Sequence, residues 1–522
     1  MNTLHKTGNR VQTTEGPIDG IQGSGAIRFL GVPYAVADRF GPARRPKAWN
    51  TPFSAHRLGD RCPQTPGRGG GSWMSFLSDT SPMSEDCLRL NVYVPDRPAT
   101  KPRPVMVWFH GGGFISGSGG RNCVDGSRMA DRGDVVVITL NHRLNAFGFT
   151  YLAELMPGHE GINCGVTDLV AALEWVRDNA AAFGGDAGNV TIFGQSGGGG
   201  KVAALMAMPS AEGLFHRAVI QSASTLLTMA TPERATACAK LMLEELGIKN
   251  PTPEALAKPT TQEVLAARLR AVARNGGVDD FRPVVDGTVM PANPFEPESL
   301  ERSAKIPLLI GVCEDEITFF LASADPEFHK MEAETAKKRI AHFIGIEAAE
   351  GGKVFDAIAA MFPGESPAQI ASRAMSEQMY RRNDRLAADI RSAHPGAAPT
   401  YSYLFRWKTA ALNGHLACPH TFCIPMVFGT TESASELLGR PREARALSDK
   451  AQDAWLAFAR TGDPNTDSLP AWRPYNAGDR PTMIFDDTCG MMDDPMPELR
   501  TLFETLPAYS TDKGSGATQA AI

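Results

Sequence analysis

A serine inside a glycine cluster is the most informative residue of this sequence for chemistry. Ser196 follows the β-branched stretch 189–193 and precedes 201–206, which is helical in pattern. A Gly-x-Ser-x-Gly run between a strand and a helix is typical of a nucleophile elbow, which exposes the hydroxyl at the start of the helix. Small residues at Gly194 and Gly198 let the strand and helix approach closely. The competing interpretation, a phosphate loop, lacks the Lys-Ser/Thr of the Walker spacing.

A second glycine run supplies the other part that acyl transfer needs, a set of donors for the oxyanion. His110 to Phe114 contains three consecutive glycines directly after the apolar stretch 105–109. Glycines leave backbone N–H groups free to point into a cavity. We expect Gly112, Gly113 and Gly197 to donate to the oxyanion.

A serine nucleophile also needs a base and an acid, which follow it in the chain order nucleophile, acid, base. Three adjacent carboxylates, Glu314, Asp315 and Glu316, come after the apolar stretch 307–312. The residues alone do not choose among them. The histidines that follow are His329, His342, His394, His415 and His420.

Composition restricts the class of protein. The chain has 522 residues, 43% of them hydrophobic and 21% charged, and a net charge of −6. These values exclude disorder and argue against nucleic acid as a partner. The apolar runs are too short to span a bilayer, and residues 1–16 lack the apolar stretch of a secretory signal. We expect a cytoplasmic protein that acts on a small molecule, or a secreted one if a leader was removed.

Short apolar strands that alternate with helix-period segments predict a large, mostly parallel sheet with helices on both faces. We expect the strands at 105–109, 135–140, 189–193, 218–220, 307–312 and 401–405. The spacing of Leu169, Leu173 and Val176 predicts a helix over 168–182, with Asp168 as its N-cap and Gly184-Gly185 as its end.

The domain organisation follows from the same pattern. We predict one catalytic domain over 8–510, with helical insertions at about 226–300 and 317–395 packed over one edge of the sheet. Residues 511–522, rich in Gly, Ser, Thr and Ala, are expected to form a flexible tail.

The cysteines do not suggest a metal site or a disulfide scaffold. Nine are scattered along the chain, without a CxxC pair. Cys418 and Cys423 lie close to His415 and His420, but their spacing matches no common zinc site. We expect no metal and no cofactor.

Further motifs resemble the type-B carboxylesterase family of α/β-hydrolases over most of the chain, from near Gly20 to about Tyr475. Besides the two glycine runs, the matching stretches are Phe29–Ala35, Ser84–Val92, Asn141–Leu144, Ala182–Asp186 and Phe458–Asn465. The resemblance implies the α/β-hydrolase fold, a large mostly parallel central sheet with helices on both faces and helical insertions.

The resemblance also selects the acid and the base. The family has its acid five residues after a glycine, which here is Gly311, and this indicates Glu316, with Asp315 as the alternative. The base comes four or five residues before an Ile/Leu-Pro pair, which indicates His420, with His415 as the alternative. The implied catalytic residues are therefore Ser196, Glu316 and His420, acting through an acyl-enzyme intermediate.

The sequence departs from the family in several places. Many relatives have Glu before the nucleophile, whereas this chain has Gln195, and this argues against a choline ester as substrate. The acid is followed by Ile317 instead of the usual Gly, and Cys423 stands where the family often has an acidic residue. Cys62 and Cys87 match a pair that forms a disulfide in secreted relatives.

We therefore predict a carboxylic ester hydrolase. The same machinery would serve a hydrolase of amides, carbamates or bulky xenobiotic esters, or a lipase. A non-catalytic binding module of this fold is the alternative outside the enzymes, but such proteins typically lose the nucleophile that is present here as Ser196.

Overall fold

A central sheet positions every feature that follows. The computed structural model describes residues 9–65 and 71–509. The strands are β1 (Arg10–Gln12), β2 (Pro17–Asp19), β3 (Ile21–Gln22), β4 (Ala26–Pro33), β5 (Phe53–Ser54), β6 (Arg89–Pro95), β7 (Arg103–Phe109), β8 (Val136–Leu140), β9 (Gly185–Gln195), β10 (Arg217–Gln221), β11 (Leu308–Cys313), β12 (Thr400–Phe405), β13 (Pro481–Phe485) and β14 (Gly490–Asp493).

The helices flank this sheet. They are α1 (Ser127–Gly133), α2 (Asn145–Phe149), α3 (Cys164–Asn179), α4 (Gly197–Ala207), α5 (Pro232–Glu245), α6 (Pro253–Ala257), α7 (Thr261–Arg274), α8 (Pro297–Ser303), α9 (Glu316–Ala324), α10 (Ala333–Ile344), α11 (Ala348–Met361), α12 (Pro367–Ser376), α13 (Arg382–Ala393), α14 (Cys423–Phe428), α15 (Ser435–Leu438), α16 (Pro441–Thr461) and α17 (Pro497–Glu504). No helix in the described ranges is long and apolar enough to cross a membrane.

The strand order is β14-β13-β12-β11-β10-β9-β7-β8-β6-β4-β3, with β1, β2 and β5 in a small separate sheet. Neighbouring strands from β8 to β13 are all parallel, and those at both edges are antiparallel. The mostly parallel sheet expected from the sequence is therefore present. Because the carboxyl ends of parallel strands meet at one edge, the loops after β7, β9, β11 and β12 converge there.

Two apolar layers cover the faces of the sheet, as the two-residue period of a strand requires. In β7, Val105, Val107 and Phe109 belong to one buried cluster, whereas Met106 and Trp108 belong to the other. Residues 218–220 of β10 and 308–310 of β11 alternate in the same way. A strand buried on both faces is held rigidly, so the residues at its end are fixed in position.

Helix α3 differs from its prediction at the start. It begins four residues earlier, at Cys164, and Asn163 is its N-cap residue, so the prediction that Asp168 caps it was wrong. Asp168 is fully buried in the helix and forms a hydrogen-bonded ion pair with Arg143 at 2.6 Å. The carboxylate is placed where it neutralises a buried guanidinium. A short 3-10 turn follows the helix and ends at Gly184, which has a φ of 73°, as predicted.

The two stretches predicted as insertions are helical. Helices α5 to α8 occupy 232–303, and α9 to α13 lie within 316–393. The organisation as one domain stays a prediction, and the tail predicted at 511–522 lies outside the described residues.

Glycines allow β9, β7 and α4 to meet without side chains between them. A Cβ at Gly198 would overlap the carbonyl oxygen of Phe109, and a Cβ at Gly194 would lie 2.5 Å from the backbone of Gly198. Real side chains do not tolerate such contacts with backbone atoms. The glycines of the elbow are therefore required by packing at this crossing.

The first testable prediction concerns this crossing. Gly198→Ala is expected to lower the free energy of unfolding by about 2 kcal/mol or more, because the added methyl group overpacks a site bounded by backbone. The measurement is urea unfolding of the purified protein.

A matched control is Gly352→Ala in α11, where the added Cβ would lie 3.9 Å from its nearest neighbour, Lys337 Cδ. Here alanine is expected to stabilise the protein by up to about 1 kcal/mol through helix propensity. Equal stability of Gly198→Ala and the unmodified protein would contradict the packing argument.

Candidate active site

Ser196 occupies a strained turn between β9 and α4. Its backbone has φ 59° and ψ −126°, a region that non-glycine residues rarely adopt. Its N–H donates to the Gln221 carbonyl at 2.8 Å, and its own carbonyl accepts from Gly200 at 3.1 Å. Strain of this kind persists only where the surroundings hold it. The turn places the Ser196 side chain at the amino end of α4, where the helix dipole favours negative charge.

His420 lies in the loop between β12 and α14 and is buried. Its Nδ1 forms a short hydrogen bond with Glu316 Oε2, and its backbone N–H donates to the Glu316 carbonyl at 3.3 Å. The rings of Phe320 and Tyr380 lie 5.1 and 5.0 Å from the imidazole. These contacts fix the plane of the ring and engage Nδ1.

Glu316 is the carboxylate that the structure brings to His420. It begins α9, three residues after the end of β11, and its side chain is fully buried. Its second oxygen, Oε1, accepts from the Cys313 N–H at 2.7 Å. Each oxygen thus has a donor, so the carboxylate is held in one orientation.

The two alternative residues lie elsewhere. Asp315 accepts from the Cys418 N–H at 3.2 Å, and burial, together with the neighbouring charge of Glu314, raises its pKa to about 7. His415 stacks on His329 with the ring centroids 4.1 Å apart. The described contacts of His420 therefore involve neither of them.

The glycine loop after β7 lies against the start of α4. Gly112 and Gly113 have φ values of 100° and 62°, which favour glycine. A Cβ at Gly197 would overlap the backbone of Gly113. Among the described residues, no protein acceptor engages the N–H groups of Gly112, Gly113 or Gly197. Gly112, Gly113 and Ser196 line one cavity, and Gly197 lies against Gly113.

A buried lysine lies under this loop. Lys201, in α4, is fully buried and donates to the His110 carbonyl at 2.8 Å. Within the described ranges no carboxylate forms an ion pair with it. Burial, with a contribution from the charge of Arg121, lowers its pKa well below the usual value. Sequence reasoning missed this residue. The available signal was a single charged residue in an otherwise apolar helix, a pattern typical of burial on all sides.

Two buried histidines lie near Lys201. The rings of His110 and His142 stack with centroids 5.1 Å apart. Burial, and next to it the charge of Lys201, lowers the pKa of both well below 6.5. Both are therefore neutral near pH 7.

A cavity of about 800 Å³ opens above Ser196, within the size range of ligand sites. Its lining includes Gly112, Gly113, Gln195, Ser196 and His420, as well as Phe319, Phe320, Met74, Leu77 and Ile115. Within the segment 71–80, Met74 faces the cavity, whereas Trp73 and Phe76 are buried in the core. The cavity can hold a substrate with an apolar part of considerable size.

Gln195 lies against the imidazole of His420. Its side-chain Nε2 is 3.1 Å from His420 Nε2 and 3.4 Å from Nδ1. This contact was not expected from the sequence. A neutral amide therefore occupies the position from which a carboxylate would act directly on the ring.

The cysteines are free thiols. All nine lie in the described residues, and eight are buried. Cys62 and Cys87 are neighbours without a disulfide, and Cys62 Sγ accepts from the Leu144 N–H at 3.2 Å. No group of three or more metal-ligating side chains occurs over 9–65 and 71–509.

The second prediction uses the buried histidines. Their pKa values are depressed in the folded protein, so the unfolded chain binds protons first as the pH falls. The stability that the neutral rings contribute is therefore present above pH 6.5 and is lost below it. Each ring can contribute at most about 1.4 kcal/mol per pH unit to this loss.

His142→Asn is expected to reduce the fall in unfolding free energy between pH 6.5 and pH 5. The measurement is urea unfolding at half-unit pH intervals. A variant whose stability depends on pH as steeply as that of the unmodified protein would contradict this account.

Comparison with known proteins places this geometry among related enzymes. A model of the carboxylesterase family matches residues 7–498. The para-nitrobenzyl esterase of Bacillus subtilis (strain 168) is 35% identical over 501 residues, which cover 94% of this chain and 97% of that protein. The phenmedipham hydrolase of Pseudarthrobacter oxydans is 32% identical over 490 residues, covering 91% and 94%.

Solved structures agree with these relatives. The carboxylesterase of Geobacillus stearothermophilus superposes with a TM-score of 0.81 at 34% identity, over 94% of this chain and 99% of that one. Similarity of this extent covers the sheet, the flanking helices and the loops that carry the site.

Proposed function

The chain belongs to the carboxylesterase family, and from this membership and the geometry of the site we propose that it hydrolyses carboxylic esters through an acyl-enzyme intermediate. The predicted family, the α/β-hydrolase fold and the activity class of a carboxylesterase are thereby confirmed. The proposal concerns the residues and the steps. It is supported above all by one observation, the bond of buried His420 to Glu316 beside the cavity that Ser196 lines.

In the first step Ser196 attacks the acyl carbon of the ester. The hydroxyl oxygen forms a bond to that carbon while its proton passes to His420 Nε2. Glu316 accepts from Nδ1, keeps Nε2 available as the acceptor and stabilises the imidazolium that forms.

The carbonyl oxygen of the substrate becomes an oxyanion in this step. The N–H groups of Gly112, Gly113 and Gly197 donate to it, and the loss of one such donor typically costs about 3–4 kcal/mol of the barrier. Lys201 supports this arrangement because it binds the His110 carbonyl directly before the glycine loop.

The ester bond then breaks, and His420 gives its proton to the leaving alcohol. Water enters, gives a proton to His420 and attacks the acyl carbon. The acid is released, and Ser196 regains its proton.

The third prediction tests the nucleophile and the base. An organophosphonate is expected to label the unmodified protein, and Ser196→Ala should abolish both labelling and hydrolysis of p-nitrophenyl esters. His420→Ala is expected to lower kcat by about 10⁴-fold or more, and Glu316→Gln by about 10⁴-fold, while the fold stays intact.

The matched control is His415→Ala, which removes an imidazole five residues from His420 that stacks on His329. This variant should retain kcat. If the unmodified protein neither reacts with the organophosphonate nor hydrolyses any activated ester, the proposal is wrong, and a normal kcat in His420→Ala would move the base elsewhere. A series of p-nitrophenyl esters of increasing chain length separates an esterase from a lipase.

The fourth prediction concerns the neutral residue beside the base. Gln195→Glu would place a carboxylate near His420 Nε2 and favour the protonated imidazole, which cannot accept the Ser196 proton. The acidic limb of the kcat/KM profile should therefore move to higher pH by about 1 unit.

Gln195→Met separates charge from shape, since it removes the amide without adding a charge. Its acidic limb should stay in place. Equal movement of the limb in both variants would show that packing, not charge, governs the profile.

A further inference from the structure

Two arginines line the cavity that contains Ser196. Arg61 and Arg121 come from different loops, the first before Cys62 and the second after the glycine loop, and Asp79 and Ser118 lie on the same wall. Nothing in the hydrolysis described above uses these guanidinium groups, because acyl transfer at Ser196 needs only the base, the acid and the oxyanion donors.

The guanidinium of Arg121 has no hydrogen-bond or ion-pair partner in the part of the chain that the structure describes. None of its nitrogens is shut off from accessible space either, since no Arg121 atom is among the buried unpaired polar atoms. Arg121 is thus half-buried, lines the cavity and keeps donors that are accessible.

The nearby carboxylate is committed to other partners. Asp79 Oδ2 accepts a short hydrogen bond from Ser118, and Oδ1 accepts from the Ser81 N–H at 2.8 Å. Arg61 donates from Nε to the Ser81 carbonyl at 2.9 Å. The wall therefore carries two guanidinium groups and one carboxylate that already has two donors.

Fully buried Arg391 donates to backbone carbonyls, whereas several other inward-facing arginines have carboxylate partners. Arg143 pairs with Asp168, Arg268 with Asp279, and Arg373 with Glu365. Burial lowers the pKa of Arg121, and the pull of Asp79 does not offset this effect. A guanidinium that is partly buried and has no carboxylate partner is costly to the fold, and this cost is typical of binding sites.

We propose that Arg121, assisted by Arg61, binds a free carboxylate of the substrate, so that the protein cleaves esters that carry a second, unesterified carboxyl group. This inference rests on the proposed function, because it assigns a substrate class to the same site. Guanidinium is suited to this role, since its planar set of donors matches both oxygens of a carboxylate. A monoester of a dicarboxylic acid has the required chemistry, with an apolar part for Phe319, Phe320 and Leu77.

The test compares substrates that differ only in charge. For the acyl side the pair is mono-(4-nitrophenyl) glutarate and its 4-carbamoylbutanoate twin, and for the alcohol side it is 4-acetoxybenzoate and 4-acetoxybenzamide. Each is assayed with the unmodified protein and with Arg121→Gln. For at least one pair, Arg121→Gln is expected to lower kcat/KM of the carboxylate substrate by about 10- to 100-fold and to leave the amide twin nearly unchanged.

Two further variants sharpen the result. Arg121→Lys keeps the charge but not the planar donors, so its kcat/KM for the carboxylate substrate should lie between those of the unmodified protein and Arg121→Gln. Arg442→Gln removes one positive charge from the exposed start of α16 and should change neither member of a pair.

Equal losses for the carboxylate and amide substrates in Arg121→Gln would overturn the inference, as would failure of the unmodified protein to cleave either carboxylate while it cleaves the amide twins. Failure of the proposed function is distinguishable. In that case the unmodified protein would cleave none of the four substrates, or Ser196→Ala would cleave them as well as the unmodified protein.

Discussion

The direct contact between bare backbone at Gly113 and Gly197 is the constraint on which this site depends. The two residues lie 84 positions apart in the chain (197 − 113), and a Cβ at Gly197 would overlap the backbone of Gly113. The same crossing presses Gly198 against the end of β7. The strained turn at Ser196 persists because these contacts, together with the bond from its N–H to Gln221, leave no room to relax. Gly112, Gly113 and Ser196 thereby line the same cavity.

The interior of this protein holds its charges in three different ways. Arg143 and Asp168 neutralise one another at 2.6 Å, which fixes the loop after β8 against α3. Lys201 has a backbone carbonyl as its partner beneath the glycine loop, and burial lowers its pKa well below the usual value. Arg121 lines the cavity and has no ion-pair partner within the described part of the chain. The last two arrangements cost stability, a balance common at functional sites.

Most of the fold, and the segments that carry the candidate site, could be predicted because local patterns specify them. The strand–glycine–helix order around Ser196 predicts a sharp turn at that residue. The apolar strands that alternate with helices predict a parallel sheet. Residues alone did not choose among Glu314, Asp315 and Glu316, since adjacent carboxylates differ only in where the turn after β11 directs them, and the family resemblance was needed there. Asp168 was wrongly predicted as an N-cap because the sequence does not distinguish an aspartate that caps a helix from one that forms a buried ion pair. The wall that contains Arg121 was beyond prediction, since it joins loops remote in sequence.

The strand order also has a consequence for biosynthesis. From β9 to β13 the strands lie side by side in the order in which they are translated, so each emerging strand can add to the existing edge of the sheet. The elbow after β9 is complete at residue 197, but the proposed base arrives only with His420, after β12. At about 5–20 residues per second, the 223 intervening residues (420 − 197) take about 11–45 s. In a nascent chain the serine is therefore synthesised long before the proposed base that would activate it. The growing polypeptide is expected to have no esterase activity until the sheet is nearly complete.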